Sequence, residues 1–72
     1  MIDEKQRELA IKVKVLRAEK NMTQEQLAES SGVSVCAVTF IENCKKKPRV
    51  GTLIKIAKAF EIDANELLKY VC

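Results

Sequence analysis

The run Gln24-Glu25-Gln26-Leu27-Ala28-Glu29-Ser30-Ser31-Gly32-Val33-Ser34-Val35-Cys36-Ala37-Val38 decides how this chain folds. Just before it, Thr23 with Gln26 three residues on is a capping-box pattern. Each side chain satisfies a free backbone donor of the other residue, so a helix opens there. Gly32 ends that helix near Ser31, because glycine takes the positive φ of a sharp turn without steric cost. Ser34 then caps a following helix, from Val35 to about Asn43. Ala28 is small where the second of these helices must approach closely, and Val38 packs back into the angle between them. Two helices therefore meet across Gly32 to Ser34. An ordinary αα-hairpin would use the same alanine and glycine, and so would a unit that offers its second helix to DNA.

Outward from this run, periodicity and stop signals predict five helices, and nothing reads as a strand; the class is all-α. A first helix runs from about Asp3 to Lys20, with Leu9, Val13 and Leu16 recurring at helical spacing and Asn21 as its C-cap. Lys45-Lys46-Lys47-Pro48-Arg49 forms the longest loop, because proline disfavours the α conformation in the residue before it. A fourth helix, about Gly51 to Phe60, carries Leu53, Ile56, Ala57 and Phe60 on one face. Asp63 and Glu66 read as a second capping box, opening a short fifth helix with Leu67 and Leu68. Such short helices are marginal alone in water, so they must share a core. That core is expected to contain Val13, Leu16, Leu27, Ala28, Val33, Val38, Ile41, Leu53, Ile56, Ala57, Phe60, Ile62 and Leu67.

Seventy-two residues suit one domain, 1–72, with 47% hydrophobic and 32% charged residues placing it among globular chains. No apolar run approaches the roughly 18 residues that cross a bilayer, and the polar start is unlike a signal peptide, so a cytoplasmic location is expected. Three cysteines without a secretory signal read as reduced thiols. Cys36 and Cys44 would stand about 12 Å apart along one helix, too far to bridge. With no histidine and no zinc-ligand spacing, neither a metal nor another cofactor is expected. An enzyme is not expected either, for want of a nucleophile–base pairing or a glycine-rich phosphate loop. The net charge of +3 is modest, but no acidic residue stands between Asn43 and Phe60, while Lys45, Lys46, Lys47, Arg49, Lys55 and Lys58 all do. A solvated face would explain that block, and so would phosphate binding just after an outward-facing helix.

Met22-Thr23-Gln24-Glu25-Gln26-Leu27-Ala28, Gly32-Val33-Ser34, Ile41-Glu42-Asn43, Pro48 and Thr52-Leu53-Ile54-Lys55-Ile56-Ala57-Lys58-Ala59-Phe60 match one pattern in order and spacing. Over about residues 9 to 68 the sequence resembles the lambda-type phage repressors and Cro proteins. The resemblance implies a five-helix, lambda-repressor-like domain with a helix-turn-helix at about 24–44, and binding to double-stranded DNA. It implies that Gln24 contacts a phosphate, that Asn43 and Lys45 hold the backbone, and that Lys46, Lys47 and Arg49 extend that contact. Arg17 and Glu42 match a pair that ties the first helix to the third by a salt bridge. Val35, Cys36, Thr39 and Phe40 fall where the family meets base edges.

Two features depart from the family pattern. Three of the four base-facing residues are apolar, where bidentate hydrogen-bonding side chains are usual, so discrimination would rest on thymine methyls, water and DNA shape. Cys44 stands where glycine commonly ends the recognition helix, and Asn43 is expected to take the left-handed conformation instead. A thiol there invites a redox role, although Cys72 at the terminus is the better site for adventitious oxidation. Ile11, Val15 and Ala18 form a second apolar stripe on the first helix, explained either by a broader core or by an interface. A homodimer on a palindromic operator is the economical expectation. Its surface would be Ile54, Leu68, Tyr70 and Val71, or else Ile11 with Val15. The function expected is a transcriptional regulator, a repressor in the first instance. The alternative is a protein-interaction module on the same fold, suggested by Val35, Cys36 and Phe40.

Overall fold

In a computed structural model, residues 4–45 and 47–70 are described, and they form five helices. These are α1 (Glu4–Glu19), α2 (Gln24–Ser31), α3 (Val35–Glu42), α4 (Val50–Ala59) and α5 (Asn65–Leu68). α3 lies against both α2 and α1, while α4 lies against α2 and α5. Leu27, Val38, Leu53, Ile56, Phe60 and Leu67 are wholly buried where these helices meet. Each such side chain contributes roughly 1.5–3 kcal/mol relative to solvent exposure. Most of the expected core is buried, but Val33 and Ile62 are only partly so. Leu9 and Ala10 join it at the start of α1, because α1 begins its packing one turn earlier than Val13.

The start and end signals operate as local chemistry demands. Thr23 Oγ1 accepts from Gln26 N at 3.0 Å and Gln26 Oε1 accepts from Thr23 N at 2.9 Å, which completes the capping box of α2. Ser34 Oγ accepts from Ala37 N at 3.0 Å and starts α3. The second box does not form. Asp63 Oδ1 accepts from Asn65 N at 2.9 Å, but the Glu66 carboxylate turns to Lys12 Nζ, 3.9 Å away.

α1 to α4 each end in a left-handed residue: Asn21 (φ 55°), Gly32 (φ 75°), Cys44 (φ 56°) and Glu61 (φ 60°). The next N–H in each case reaches back five residues, as in Met22 N to Arg17 O, Val33 N to Ala28 O, Lys45 N to Phe40 O and Ile62 N to Ala57 O. These closures satisfy carbonyls that a helix end leaves unpaired. A Cβ on Gly32 would meet nothing within 4 Å, so glycine is needed there for its φ and not for space. At α3 the left-handed residue is Cys44, and Asn43 stays at φ −101°, ψ 4°, contrary to the expectation for Asn43. The left-handed residue is the one just before the N–H that reaches back five residues, and with Lys45 N bonded to Phe40 O that residue is Cys44. The Cys44 thiol also donates to Gln6 O at 3.7 Å, a contact between the end of α3 and α1.

A buried ion pair joins the same two helices. Glu42 is 3% exposed and receives Arg17 Nε at 2.6 Å on Oε2 and Nη2 at 3.0 Å on Oε1. Arg17 Nη1 donates to Met22 O at 2.8 Å, so one guanidinium ties α3 to the α1–α2 turn. Removing one partner of such a pair strands the other without compensation. Arg17 retains some solvent contact, with its side chain 21% exposed. Glu42→Ala is therefore expected to cost roughly 2–3 kcal/mol in urea unfolding, and a double-mutant cycle with Arg17→Met should show strong coupling. Simple additivity of the two would mean that the pair does not act as a unit. Glu61, exposed and left-handed, gives the opposite expectation. Glu61→Gly should raise stability by about 1 kcal/mol, read as a melting shift of roughly 4–8 °C for a domain of this size.

Candidate nucleic-acid interface

α3 buries Val38, Ile41 and Glu42, which by helical geometry leaves Val35, Cys36, Thr39 and Phe40 on its outer side. Val35 is 40% exposed and Phe40 37%, Cys36 is exposed, and Thr39 is half-buried against α2. At eight residues, α3 is about 12 Å long and about 10–12 Å across, a cross-section that a major groove about 12 Å wide admits.

Gln24 opens α2 beside this face. Its Nε2 donates to Glu42 Oε1 at 3.0 Å, and Thr39 Oγ1 makes a long hydrogen bond to its Oε1 at 3.5 Å. A carboxylate only accepts, so the amide is fixed with nitrogen toward Glu42 and oxygen toward Thr39. Arg17, Glu42, Gln24 and Thr39 are thus one hydrogen-bonded chain running from α1 to the outer side of α3. The Arg17 guanidinium is held above its ordinary basicity, chiefly by its hydrogen bonds to Glu42, with the charges of Glu42 and Glu25 adding and burial opposing. The resemblance implies the Arg17–Glu42 pair; its extension through Gln24 to Thr39 joins partners 18 and 15 positions apart, and no local spacing announces that they meet.

The capping box occupies the N–H groups of Thr23 and Gln26, so the first turn of α2 still presents those of Gln24 and Glu25. At the other end of α3, Asn43 and Lys45 are exposed, followed by Lys47 and Arg49 in the loop to α4. Lys46 lies outside the described residues. Phe40, Pro48, Lys47 and Arg49 share the wall of a shallow groove of about 190 Å³ between α3 and the start of α4. The outer face of α3 and the loop cations are therefore one continuous surface.

The basic block that looked uniform in sequence is divided in space. Lys55 and Lys58 line a different depression, beside Glu29, Ser31 and Gly32 at the C-terminal end of α2. Cations there complement the partial negative charge of a helix end, a structural use that leaves Lys45, Lys47 and Arg49 as the cluster next to α3. Among the described residues, no helix is long and apolar enough to cross a membrane.

A family model described as Helix-turn-helix matches residues 13–67. The HTH-type transcriptional activator BcrR of Enterococcus faecalis is 44% identical over 57 residues, which span 79% of this chain and 28% of that protein. An uncharacterized HTH-type transcriptional regulator of Methanocaldococcus jannaschii is 39% identical over 59 residues, 82% of this chain and 89% of its own length. The crystal structure of a hypothetical transcription factor from Neisseria superposes with a TM-score of 0.82, covering 94% of this chain and 82% of that one at 24% identity, a likeness of fold. Given a family match across α2, the turn and α3, and the same unit standing with its second helix outward, this chain belongs to the helix-turn-helix family.

Proposed function

We propose that the chain binds double-stranded DNA as a regulator of transcription, a repressor working as a homodimer on a palindromic operator. The carrying observation is the alignment of three features on one surface. α3 leaves Val35, Cys36, Thr39 and Phe40 on its outer side, Gln24 at the open first turn of α2 adjoins Thr39, and Lys47 and Arg49 share a groove with Phe40. Phosphates on either side of a major groove meet such an arrangement, with α3 between them. Gln24 meets one phosphate through its backbone N–H, favoured by the positive end of the helix, and through the amide hydrogen not given to Glu42. Lys45 to Lys47 and Arg49 hold the other strand.

Size supports two copies. The longest extent is 29 Å, shorter than the roughly 34 Å between successive major-groove faces, so one copy reads one half-site. Apolar residues remain for a partner on α4, where Val50 and Ile54 are exposed, and on α1, where Ile11 and Val15 are exposed too. The described residues do not cover the α1 stripe with core. Leu68 and Tyr70 pack partly against the core beside α4, while Val71 lies outside the described residues. The α4–α5 side, with its apolar residues on two adjoining helices, is the surface through which the two copies pair. Occupying an operator is by itself enough to block transcription, and this is the simplest use of a surface this small.

Selection of bound sites from random duplex DNA tests the proposal directly, and an enriched palindrome is the expected result. Replacing Lys45, Lys46 and Lys47 by alanine should weaken binding to all sequences alike and reduce the slope of log affinity against log salt by about one for each phosphate no longer neutralised. Replacing Phe40 or Thr39 should change preference between sequences. Binding that ignores salt would refute the phosphate assignment and turn the reading toward a protein-interaction module.

A further inference from the structure

The outer face of α3 is apolar where a reader of bases is usually polar. Val35 and Phe40 carry no hydrogen-bonding side-chain group, and Cys36 has only a weak donor. Thr39 has a hydroxyl, but it is half-buried and its proton is directed to Gln24, whose amide is in turn held by the buried Glu42. The polar side chains nearest along the chain flank the helix: Ser34 before it, whose hydroxyl oxygen is engaged as the cap by Ala37 N, and Asn43 and Lys45 at and after its end. Seen from the major groove, each base pair offers donors and acceptors together with one apolar feature, the 5-methyl group of thymine. An apolar surface pressed on donors and acceptors leaves them unpaired, at a free-energy cost. Pressed on a methyl group, it removes apolar area from water on both sides.

We propose that α3 reads the 5-methyl groups of pyrimidines, so that thymine and 5-methylcytosine are equivalent to it while uracil and cytosine are equally poor. This rests on the DNA-binding reading above and names the feature of DNA that the surface recognises. In a T·A pair and a 5-methylcytosine·G pair the methyl group takes the same place in the groove; the pairs differ in the neighbouring group, an acceptor in one and a donor in the other. Val35, Cys36 and Phe40 have no strong partner for either. Val35 and Phe40 are five residues apart, about 7.5 Å along the helix axis. Methylation of an operator cytosine would then change affinity as a substitution to thymine does.

The test takes the intact chain and the site enriched from random DNA. Each enriched T·A position is resynthesised with uracil, cytosine or 5-methylcytosine, and affinity is measured by anisotropy at fixed salt. Uracil should weaken binding about fourfold per methyl group removed. 5-Methylcytosine should bind within about twofold of thymine, and cytosine no better than uracil. If uracil binds as well as thymine while the salt dependence stays steep, the face reads polar edges or DNA shape and the proposal is overturned, although DNA binding stands. Equality of 5-methylcytosine with cytosine overturns it too, because the thymine acceptor is then what is read. Salt-dependent binding without any enriched site likewise overturns it, since the face then reads nothing. Binding that is flat in salt removes the DNA-binding reading and the proposal together. Val35→Ser and Phe40→Gln change exposed positions outside the core, and each should bring the thymine-to-uracil affinity ratio toward one; an unchanged ratio in both variants overturns the assignment to α3.

Discussion

The buried carboxylate of Glu42 is the point from which the arrangement of this molecule is fixed. A charge removed from water is tolerable only when its oxygens are fully engaged, and here they accept from two nitrogens of Arg17 and from Gln24. Those bonds come from α1 and from the first residue of α2, while the carboxylate itself belongs to the last residue of α3. Three helices are thereby held in one register by one side chain. Apolar contacts along the same helices supply most of the stabilisation, but they are non-directional. Hydrogen bonds to Glu42 specify direction, and so set which side of α3 faces out.

The ends of the helices repeat one solution in four places. Only at Gly32 does the left-handed residue lack a side chain; Asn21, Cys44 and Glu61 adopt the same conformation against their preference. What compensates is the pair of backbone bonds that each closure makes, and at Cys44 also the thiol contact to α1. The chain tolerates strain where it must turn quickly between short helices. It uses glycine at the turn between α2 and α3, the one on which the crossing of those two helices depends.

Charge is arranged with similar economy. Lys55 and Lys58 sit by the C-terminal end of α2, while Lys45, Lys47 and Arg49 stand beside α3. A stretch without acids is one feature in sequence and two in space, because α4 carries its lysines away from the loop that precedes it. The proposed phosphate clamp therefore consists of the loop cations together with the open turn of α2.

The sequence by itself determined where helices begin and end, because capping and chain reversal are local: Thr23 with Gln26, Ser34 and Gly32 each act within about four residues. It determined most of the core through apolar periodicity, and the family through the ordered matches from Met22 to Phe60. Local signals misled at Glu66, whose carboxylate faces Lys12 of α1 and does not cap, and at the end of α3, where the left-handed residue is Cys44 and not Asn43. Only the tertiary structure decided that Gln24 and Thr39 join Arg17 and Glu42 in one chain of hydrogen bonds, and that the Thr39 hydroxyl is engaged there on the outer side of α3. Those outcomes depend on contacts between residues distant in sequence, which no spacing along the chain encodes. The helix-turn-helix and the apolar residues of its outer helix were legible from the chain, and the engagement of its one hydroxyl within the protein was settled by how the helices pack.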